Sequence, residues 1–405
     1  MSRGRPTLTG LGIGLGAAGM AGAAGAASLV ADRLRRREDA ALPEYASLIE
    51  PADQELVVVA EDGVVLHAQV DEPTGDPFTA DGRRKPTVVL SHGFCLTSEC
   101  WVLQRRALRK AGYRVVTWDL RGHGRSGPGS SGNYVIDQLG EDLYAVIQAA
   151  APEGDLALGG HSMGGMTTMA MAAAHPEVIE ERTVAFAAIA TSPGGHPVAN
   201  GGFAAAAGKV LLERVGPRVF GRLVARPELL ASILRANRDL EEFLVERYSF
   251  ASPVPRSAVR LTAKMILGTH LTVMSDFVHT FNSYDKTAAL ALFTHVETLV
   301  FNGTQDVLTP PSHSEIIIAA IPSAEHVLIR DAGHIIMLEY PDLLNEHLIA
   351  LLDRAALDRA EHLDPADKPP VTTVVTPVGK ARQVREGLRE GRRNRAGGRT
   401  REPAR

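Results

Sequence analysis

Residues 160–165 read Gly-His-Ser-Met-Gly-Gly and stand at a change in the pattern of the chain. The apolar run 155–159 before them is typical of a short buried strand. The Ala- and Met-rich run 163–174 after them is typical of a helix. The six residues therefore form a turn from strand to helix that contains the pattern Gly-x-Ser-x-Gly. A sharp turn of this kind holds a serine hydroxyl clear of the sheet.

Ser162 is the candidate nucleophile of this turn. A serine hydroxyl attacks poorly until a base takes its proton, so the chemistry requires partners elsewhere in the chain. Gly160 and Gly164 fit the turn because a side chain at either position would clash within it. The beginning of the helix also favours negative charge that develops next to the serine.

A carboxylate and a histidine follow Ser162 in the chain order that such a site uses. Asp306 and His334 each come shortly after an apolar strand, so we expect both at the same edge of the sheet. We predict that His334 takes the proton from Ser162, while Asp306 holds the imidazole tautomer and stabilises the imidazolium. Asp331 is the rival carboxylate, but its place three residues before His334 favours a turn-capping role.

Acyl transfer also needs two backbone N–H groups that already point at the developing oxyanion. One donor is predicted to be the N–H of Met163, directly after the candidate nucleophile. The other is predicted to be the N–H of Phe94, in the loop that follows the apolar run 87–90. Gly93 precedes Phe94 and would let the backbone turn towards the site.

The alternation of elements predicts the fold class and the domains. Strands rich in Val, Ile and Leu alternate with helices over residues 46–192 and again over 285–360, which indicates a mostly parallel sheet covered on both faces. Between them, residues 193–284 are helical in pattern and predict an inserted cap. Residues 361–405 are rich in Pro, Arg and Gly and predict a disordered basic tail.

Taken together, these motifs resemble the α/β-hydrolase superfamily. The resemblance is carried by the His-Gly pair at 92–93, the loop 119–126, the turn 160–165, Asp306 and His334, and it extends over about residues 54–354. It implies an eight-stranded, mostly parallel sheet with neither a metal nor an organic cofactor. It also implies cleavage of an ester or related acyl bond through an acyl-serine intermediate.

The turn excludes two groups of relatives and leaves several open. Haloalkane dehalogenases and epoxide hydrolases carry Asp at the position of Ser162, so this chain does not resemble them there. Monoacylglycerol lipases, carboxylesterases, C–C bond hydrolases and cofactor-free perhydrolases share the Gly-His-Ser-Met-Gly-Gly turn. The turn therefore does not distinguish among these four groups.

The leading hypothesis is a carboxylesterase or lipase that acts on a small-molecule ester with a moderately apolar acyl group. Apolar residues at helical spacing in the predicted cap, among them Phe203, Leu211 and Phe220, would suit such a pocket. A thioesterase, an acyltransferase and a C–C bond hydrolase stay open as alternatives. A non-catalytic ligand-binding protein of this fold is the alternative from another class, and the complete set of candidate residues speaks against it.

Both ends of the chain bear on location and partners. The apolar stretch Leu8–Val30 has 23 residues, and at about 1.5 Å per residue it could span a bilayer. It predicts a membrane anchor, with a cleaved signal peptide or a flexible start as alternatives. We therefore expect membrane association, with a secreted or cytoplasmic protein as alternatives.

The stretch Lys380–Arg405 has ten Lys and Arg against three Glu but no aromatic residue for base stacking, so no nucleic acid is expected.

Overall fold

The computed structural model describes residues 45–130, 132–194 and 245–377. These residues build one sheet in the strand order β1-β2-β4-β3-β5-β6-β7-β8-β9. The strands are β1 (Gln54–Val59), β2 (Val65–Asp71), β3 (Thr87–Ser91), β4 (Val115–Asp119), β5 (Leu156–His161), β6 (Thr183–Ile189), β7 (Glu297–Gly303), β8 (Glu325–Ile329) and β9 (Val371–Val375). All neighbours from β4 onwards are parallel, and β2 is antiparallel to both β1 and β4.

The mostly parallel α/β sheet is as predicted, but the number of strands is not. The resemblance implied eight strands, and the described residues contain nine. The additional strand is β9, which pairs with β8 in parallel from Glu325↔Val371 to Ile329↔Val375. The prediction that residues 361–405 are disordered is therefore wrong for 371–375, and residues 378–405 lie outside the described part.

The exposed side chains of β9 explain why the sequence does not predict this strand. Its sequence Val-Thr-Thr-Val-Val is rich in β-branched residues, but four of its five side chains are exposed, so no buried face marks it. Lys368 fixes the chain just before the strand, because its Nζ lies 2.7 Å from carboxylate oxygens of both Glu297 and Asp358. Pairing with β8, rather than apolar burial, thus orders this segment.

The helices cover both faces of the sheet. They are α1 (Val102–Lys110), α2 (Ile136–Ala150), α3 (Met163–Ala174), α4 (Pro176–Arg182), α5 (Arg256–Gly268), α6 (Leu271–Val278), α7 (Thr280–Ser283), α8 (Pro311–Ala320), α9 (Ile336–Glu339) and α10 (Pro341–Glu361). The pattern 335–355 predicts a single helix, whereas the structure divides it at Tyr340. Pro341 has no N–H to continue α9 and instead begins α10.

Two apolar cores follow from the alternation of side chains along the strands. Val89 belongs to the core on one face, where α2 and α3 pack. Val88 and Leu90 belong to the core on the other face, which α1 and α10 cover. The parallel strands are thus buried on both sides, and their C-terminal ends share one edge of the sheet.

The predicted cap is described only in part. Residues 245–249 are helical and α5, α6 and α7 follow, while residues 195–244, with Phe203, Leu211 and Phe220, lie outside the described residues. The candidate span Leu8–Val30 also lies outside them. Within the described ranges, no helix has the length and hydropathy required to cross a membrane.

Candidate active site

Ser162 sits on a strained turn between β5 and α3. Its backbone angles are φ 52° and ψ −120°, a region that residues other than glycine rarely adopt and that costs roughly 1–3 kcal/mol. The turn is fixed on both sides, since the Ser162 N–H donates to the Ile189 carbonyl at 3.0 Å and the Ser162 carbonyl accepts from Thr191 Oγ1 at 2.7 Å. The residue is half-buried, whereas both of its neighbours are buried.

The three predicted glycines stand where other atoms approach closely. A Cβ on Gly160 would lie 2.4 Å from the nitrogen of Gly165, and one on Gly164 would lie 2.1 Å from the Ser91 carbonyl oxygen. A Cβ on Gly93 would lie 3.1 Å from the Cβ of Ser162. The first two positions exclude any side chain, and the third brings the loop after β3 against the serine.

His334 and Asp306 are brought together from different loops at the same edge. His334 Nδ1 donates to Asp306 Oδ2 at 2.8 Å, and both side chains are buried. The other carboxylate oxygen, Oδ1, accepts from the N–H groups of Leu308 at 2.9 Å and Thr309 at 3.0 Å. With Nδ1 engaged by the carboxylate, Nε2 is the imidazole nitrogen left to exchange a proton.

Asp331, the rival carboxylate, has a different place. It is exposed, and its φ is 58°. Its N–H donates to Thr304 Oγ1 at 3.1 Å, and its carbonyl accepts from the Tyr340 hydroxyl at 3.3 Å. Asp331 therefore shapes the turn that carries the chain from β8 to His334.

The predicted oxyanion donors come from two segments next to Ser162. The Phe94 N–H belongs to the loop that Gly93 brings against the serine, and the Met163 N–H opens α3. As far as the described residues extend, neither N–H donates to a protein acceptor. Two backbone donors that are left unpaired beside a serine can stabilise an oxyanion.

Two buried histidines hold the loop that contains Phe94. His92 Nδ1 donates to the Gly93 carbonyl at 2.8 Å, while its Nε2 accepts from the Leu120 N–H at 3.0 Å. His123 Nε2 accepts from the Cys95 N–H at 3.1 Å. Burial lowers the pKa of His92, and burial together with the nearby His92 lowers the pKa of His123 to about 3. Both rings are thus neutral at pH 7, as these hydrogen bonds require.

The sequence indicates no role for these two rings, although both occur in motifs that carry the family resemblance. His92 belongs to the His-Gly pair, and His123 belongs to the loop 119–126. Ion pairs hold the loop 119–126 in place. Arg121 is fully buried and binds both oxygens of Asp142 at 2.6 Å, and its Nη1 lies 2.7 Å from Asp62 Oδ2.

His161 is a further buried residue whose position the sequence did not reveal. Its Nε2 donates to the backbone carbonyl of His334 at 2.9 Å, and the two rings lie 4.7 Å apart. Burial, followed by the electrostatic interaction with the nearby His334 ring, lowers the pKa of His161 well below its usual value. The side chain before the candidate nucleophile thus contacts the candidate base as a neutral group.

No group of three or more His, Cys, Asp or Glu side chains in residues 45–194 and 245–377, as far as they are described, is arranged to hold a metal ion. Cys95 and Cys100 are buried free thiols. Burial raises the pKa of both, so neither is a thiolate at neutral pH.

Comparison with known proteins agrees with this geometry. Residues 88–347 match the Alpha/beta hydrolase family. The chain belongs to this family. Lipase 3 of Moraxella sp. (strain TA144) is 24% identical over 285 residues, which are 70% of this chain and 79% of that protein. The sn-1-specific diacylglycerol lipase ABHD11 of Mus musculus is 28% identical over 254 residues, 62% of this chain and 75% of that protein.

Solved structures show the same fold for the hydrolase. The esterase RhEst1 from Rhodococcus sp. ECU1013 aligns with a TM-score of 0.56 at 22% identity and covers 74% of this chain and 98% of that one. A thermophilic esterase from Thermogutta terrifontis aligns with a TM-score of 0.53 at 22% identity over 75% of this chain and 99% of that one. The protein is an α/β-hydrolase enzyme with esterase- and lipase-like relatives.

Proposed function

We propose that this hydrolase cleaves carboxylic esters of moderately apolar substrates through an acyl-serine intermediate on Ser162. The observation that carries the proposal is the hydrogen bond from His334 Nδ1 to Asp306 Oδ2, 2.8 Å long, at the sheet edge where the strained turn presents Ser162. It leaves His334 Nε2 as the base and gives each of the three residues one role.

In the first half-reaction, Ser162 Oγ attacks the ester carbonyl carbon while His334 Nε2 takes the hydroxyl proton. The carbonyl π electrons move to the oxygen, and the N–H groups of Phe94 and Met163 stabilise the resulting charge. When the carbonyl re-forms, its bond to the alcohol oxygen breaks, and the alcohol leaves with the proton from His334. A water molecule, deprotonated by the same imidazole, then releases the acid from Ser162.

Asp306 supports both half-reactions without touching the substrate. Its carboxylate keeps the proton of the neutral imidazole on Nδ1 and stabilises the imidazolium that forms in each attack. The N–H groups of Leu308 and Thr309 fix the carboxylate in turn. Since its side chain is fully buried, water does not compete for these bonds.

The preference for an apolar substrate is supported by the surroundings of Phe94. Its half-buried ring meets the rings of Phe277 at 6.1 Å and Phe281 at 5.5 Å, both from the described end of the cap. Phe281 is also half-buried, so the two rings offer an apolar surface next to the candidate oxyanion donor. The two lipases similar to this chain, named above, agree with such a substrate.

The test is hydrolysis of p-nitrophenyl esters, from acetate to palmitate, by the wild type and by Ser162→Ala. We expect activity that the substitution abolishes and an optimum at an intermediate or long acyl chain. A fluorophosphonate should label the wild type and not the variant. Labelling of Ser162 without turnover of any ester would contradict the proposal and favour a thioester or a C–C bond as the substrate.

We also propose that residues 8–30 attach the enzyme to a membrane, on the strength of their length and apolar composition. The full chain should remain with the membrane fraction after alkaline carbonate washing, whereas a chain that begins at residue 38 should not. Recovery of both chains in the soluble fraction would contradict the proposal.

A further inference from the structure

The loop that carries His334 is held from both sides by residues 249–252, a short segment of the cap just before α5, here called the return segment. On one side, the Ile335 N–H donates to the Ser249 carbonyl at 2.9 Å. On the other side, Gly333 lies so close that a Cβ there would be 2.8 Å from the Ala251 nitrogen. The two neighbours of the candidate base therefore both contact this return segment.

Glu339 joins the return segment to the loop. Its side chain is 2% exposed and lies at the end of α9, five residues after His334. Oε2 accepts from the Gly333 N–H at 2.7 Å, and Oε1 accepts from the Ala251 N–H at 3.0 Å and from the Ser252 N–H. One carboxylate thus satisfies a donor beside the candidate base and two donors of the cap.

We propose that Glu339 is a positioning residue that couples the seating of the cap to the placement of the His334 imidazole. The proposal rests on the proposed function, in which His334 is the base. A base must stand within hydrogen-bond reach of the hydroxyl proton, and a misplacement of about 1 Å can cost on the order of 100-fold in rate. A cap that shifts at residues 251 and 252 pulls on the same carboxylate that holds Gly333.

The chemistry of the carboxylate is what this position requires. Three N–H donors converge on Glu339, and an ionised carboxylate accepts on both oxygens without any donor of its own. A glutamine of nearly the same shape has one oxygen and one NH₂ group. Its NH₂ would face an N–H either of the loop or of the return segment, so one of the two connections would be lost.

The first experiment compares Glu339→Gln with Glu297→Gln. Glu297 is the matched control, because it is also a buried carboxylate, 5% exposed, but is bound to Arg354 and Lys368 at the end of β7 that is remote from His334. Both substitutions should lower Tm. Only Glu339→Gln should lower kcat for p-nitrophenyl esters, by about tenfold, with KM within about twofold. A fall in Tm with unchanged kcat in Glu339→Gln would overturn the proposal.

Gly333→Ala provides a second variant that leaves the carboxylate intact. Its Cβ would push against Ser249 and Ala251 and force the return segment away from the loop. The same loss in kcat with little change in KM is expected, and unchanged kcat would contradict the coupling. This variant also decides the matter if Glu339→Gln does not fold.

A readout without catalysis separates this proposal from the proposed function. The proton on His334 Nδ1, bonded to Asp306, should give a downfield NMR resonance in the wild type. We expect this resonance to shift or broaden in Glu339→Gln and to persist unchanged in Glu297→Gln. If the wild type cleaves no ester but the resonance behaves in this way, the function fails while the coupling stands. An unchanged resonance in Glu339→Gln overturns the coupling.

Discussion

The Nε2 atom of His161 lies 2.9 Å from the backbone carbonyl oxygen of His334, so the residue before the candidate nucleophile holds the candidate base directly. The contact joins two loops that are 173 positions apart in the chain. Together with the contact between Gly93 and Ser162, it makes the candidate nucleophile, the candidate base and the loop that contains Phe94 one packed unit.

His161→Ala should therefore lower kcat more than it raises KM. The substitution leaves the buried carbonyl of His334 without its donor, which costs about 1–3 kcal/mol, and it frees the imidazole to move. His326→Ala is the matched control, because His326 is a buried histidine bound to Asn302 at 3.0 Å and distant from Ser162 in the sheet. Equal kinetic losses in the two variants, measured at equal folded fraction, would argue against the contact having a catalytic effect.

Asp306→Asn should reduce kcat by about 10³-fold or more with little change in KM. An amide can offer its NH₂ to Nδ1 and so favour the tautomer that places the proton on Nε2, where it blocks proton uptake from Ser162. Asp331→Asn is the paired control, since Asp331 is exposed and acts through its backbone. Comparable loss in Asp331→Asn, or full activity in Asp306→Asn, would show that the acid has been assigned wrongly.

The free energy of unfolding should fall as the pH drops below about 6.5. Burial lowers the folded-state pKa of His92, His123 and His161, so below the unfolded-state pKa the unfolded chain binds protons that the folded chain does not. The contribution of the three histidines to the free energy of unfolding is therefore fully present above about pH 6.5. As the pH falls below this value, the free energy of unfolding decreases by up to about 1.4 kcal/mol per pH unit for each histidine. For His123 the decrease continues to a pH of about 3.

Urea unfolding at several pH values between 7.5 and 4.5 measures this slope. In His123→Gln, an amide oxygen can still accept from the Cys95 N–H but does not titrate, so the slope should become shallower. A slope identical to that of the wild type would mean that His123 is not held neutral in the folded protein.

Gly164→Ala should destabilise the fold by several kcal/mol or prevent folding, because its Cβ would lie 2.1 Å from the Ser91 carbonyl oxygen and β3 cannot move aside cheaply. Gly268→Ala is the control, since a Cβ there meets nothing within 4 Å. Thermal unfolding of the two variants checks the prediction. Similar Tm values would contradict the close approach between β3 and the turn.

The position of the candidate site was predictable because it depends on strand order and chain order. Ser162, Asp306 and His334 each follow a strand that the apolar pattern reveals, and parallel strands bring their C-terminal ends to one edge. The structure places Asp306 against His334 as this reasoning expected.

The support of the site was not predictable in the same way. Glu339 lies in a run that is otherwise apolar, and nothing in its spacing shows that three N–H groups converge on it. The same holds for His161, because its partner is a backbone carbonyl, which every residue has, so the residue types do not indicate this contact. Contacts to backbone atoms depend on how loops fold over one another, which periodicity does not encode.

The ninth strand has a consequence for the solubility of the protein. The Arg330 N–H donates to the Val375 carbonyl at 2.9 Å, so β9 covers the open edge of β8 up to the loop that leads to His334. β9 is itself short and is bracketed by Pro369, Pro370 and Pro377, which cannot donate to a further strand. A chain cut before β9 would instead expose the unpaired backbone groups of β8, and a second molecule could pair with them and start aggregation.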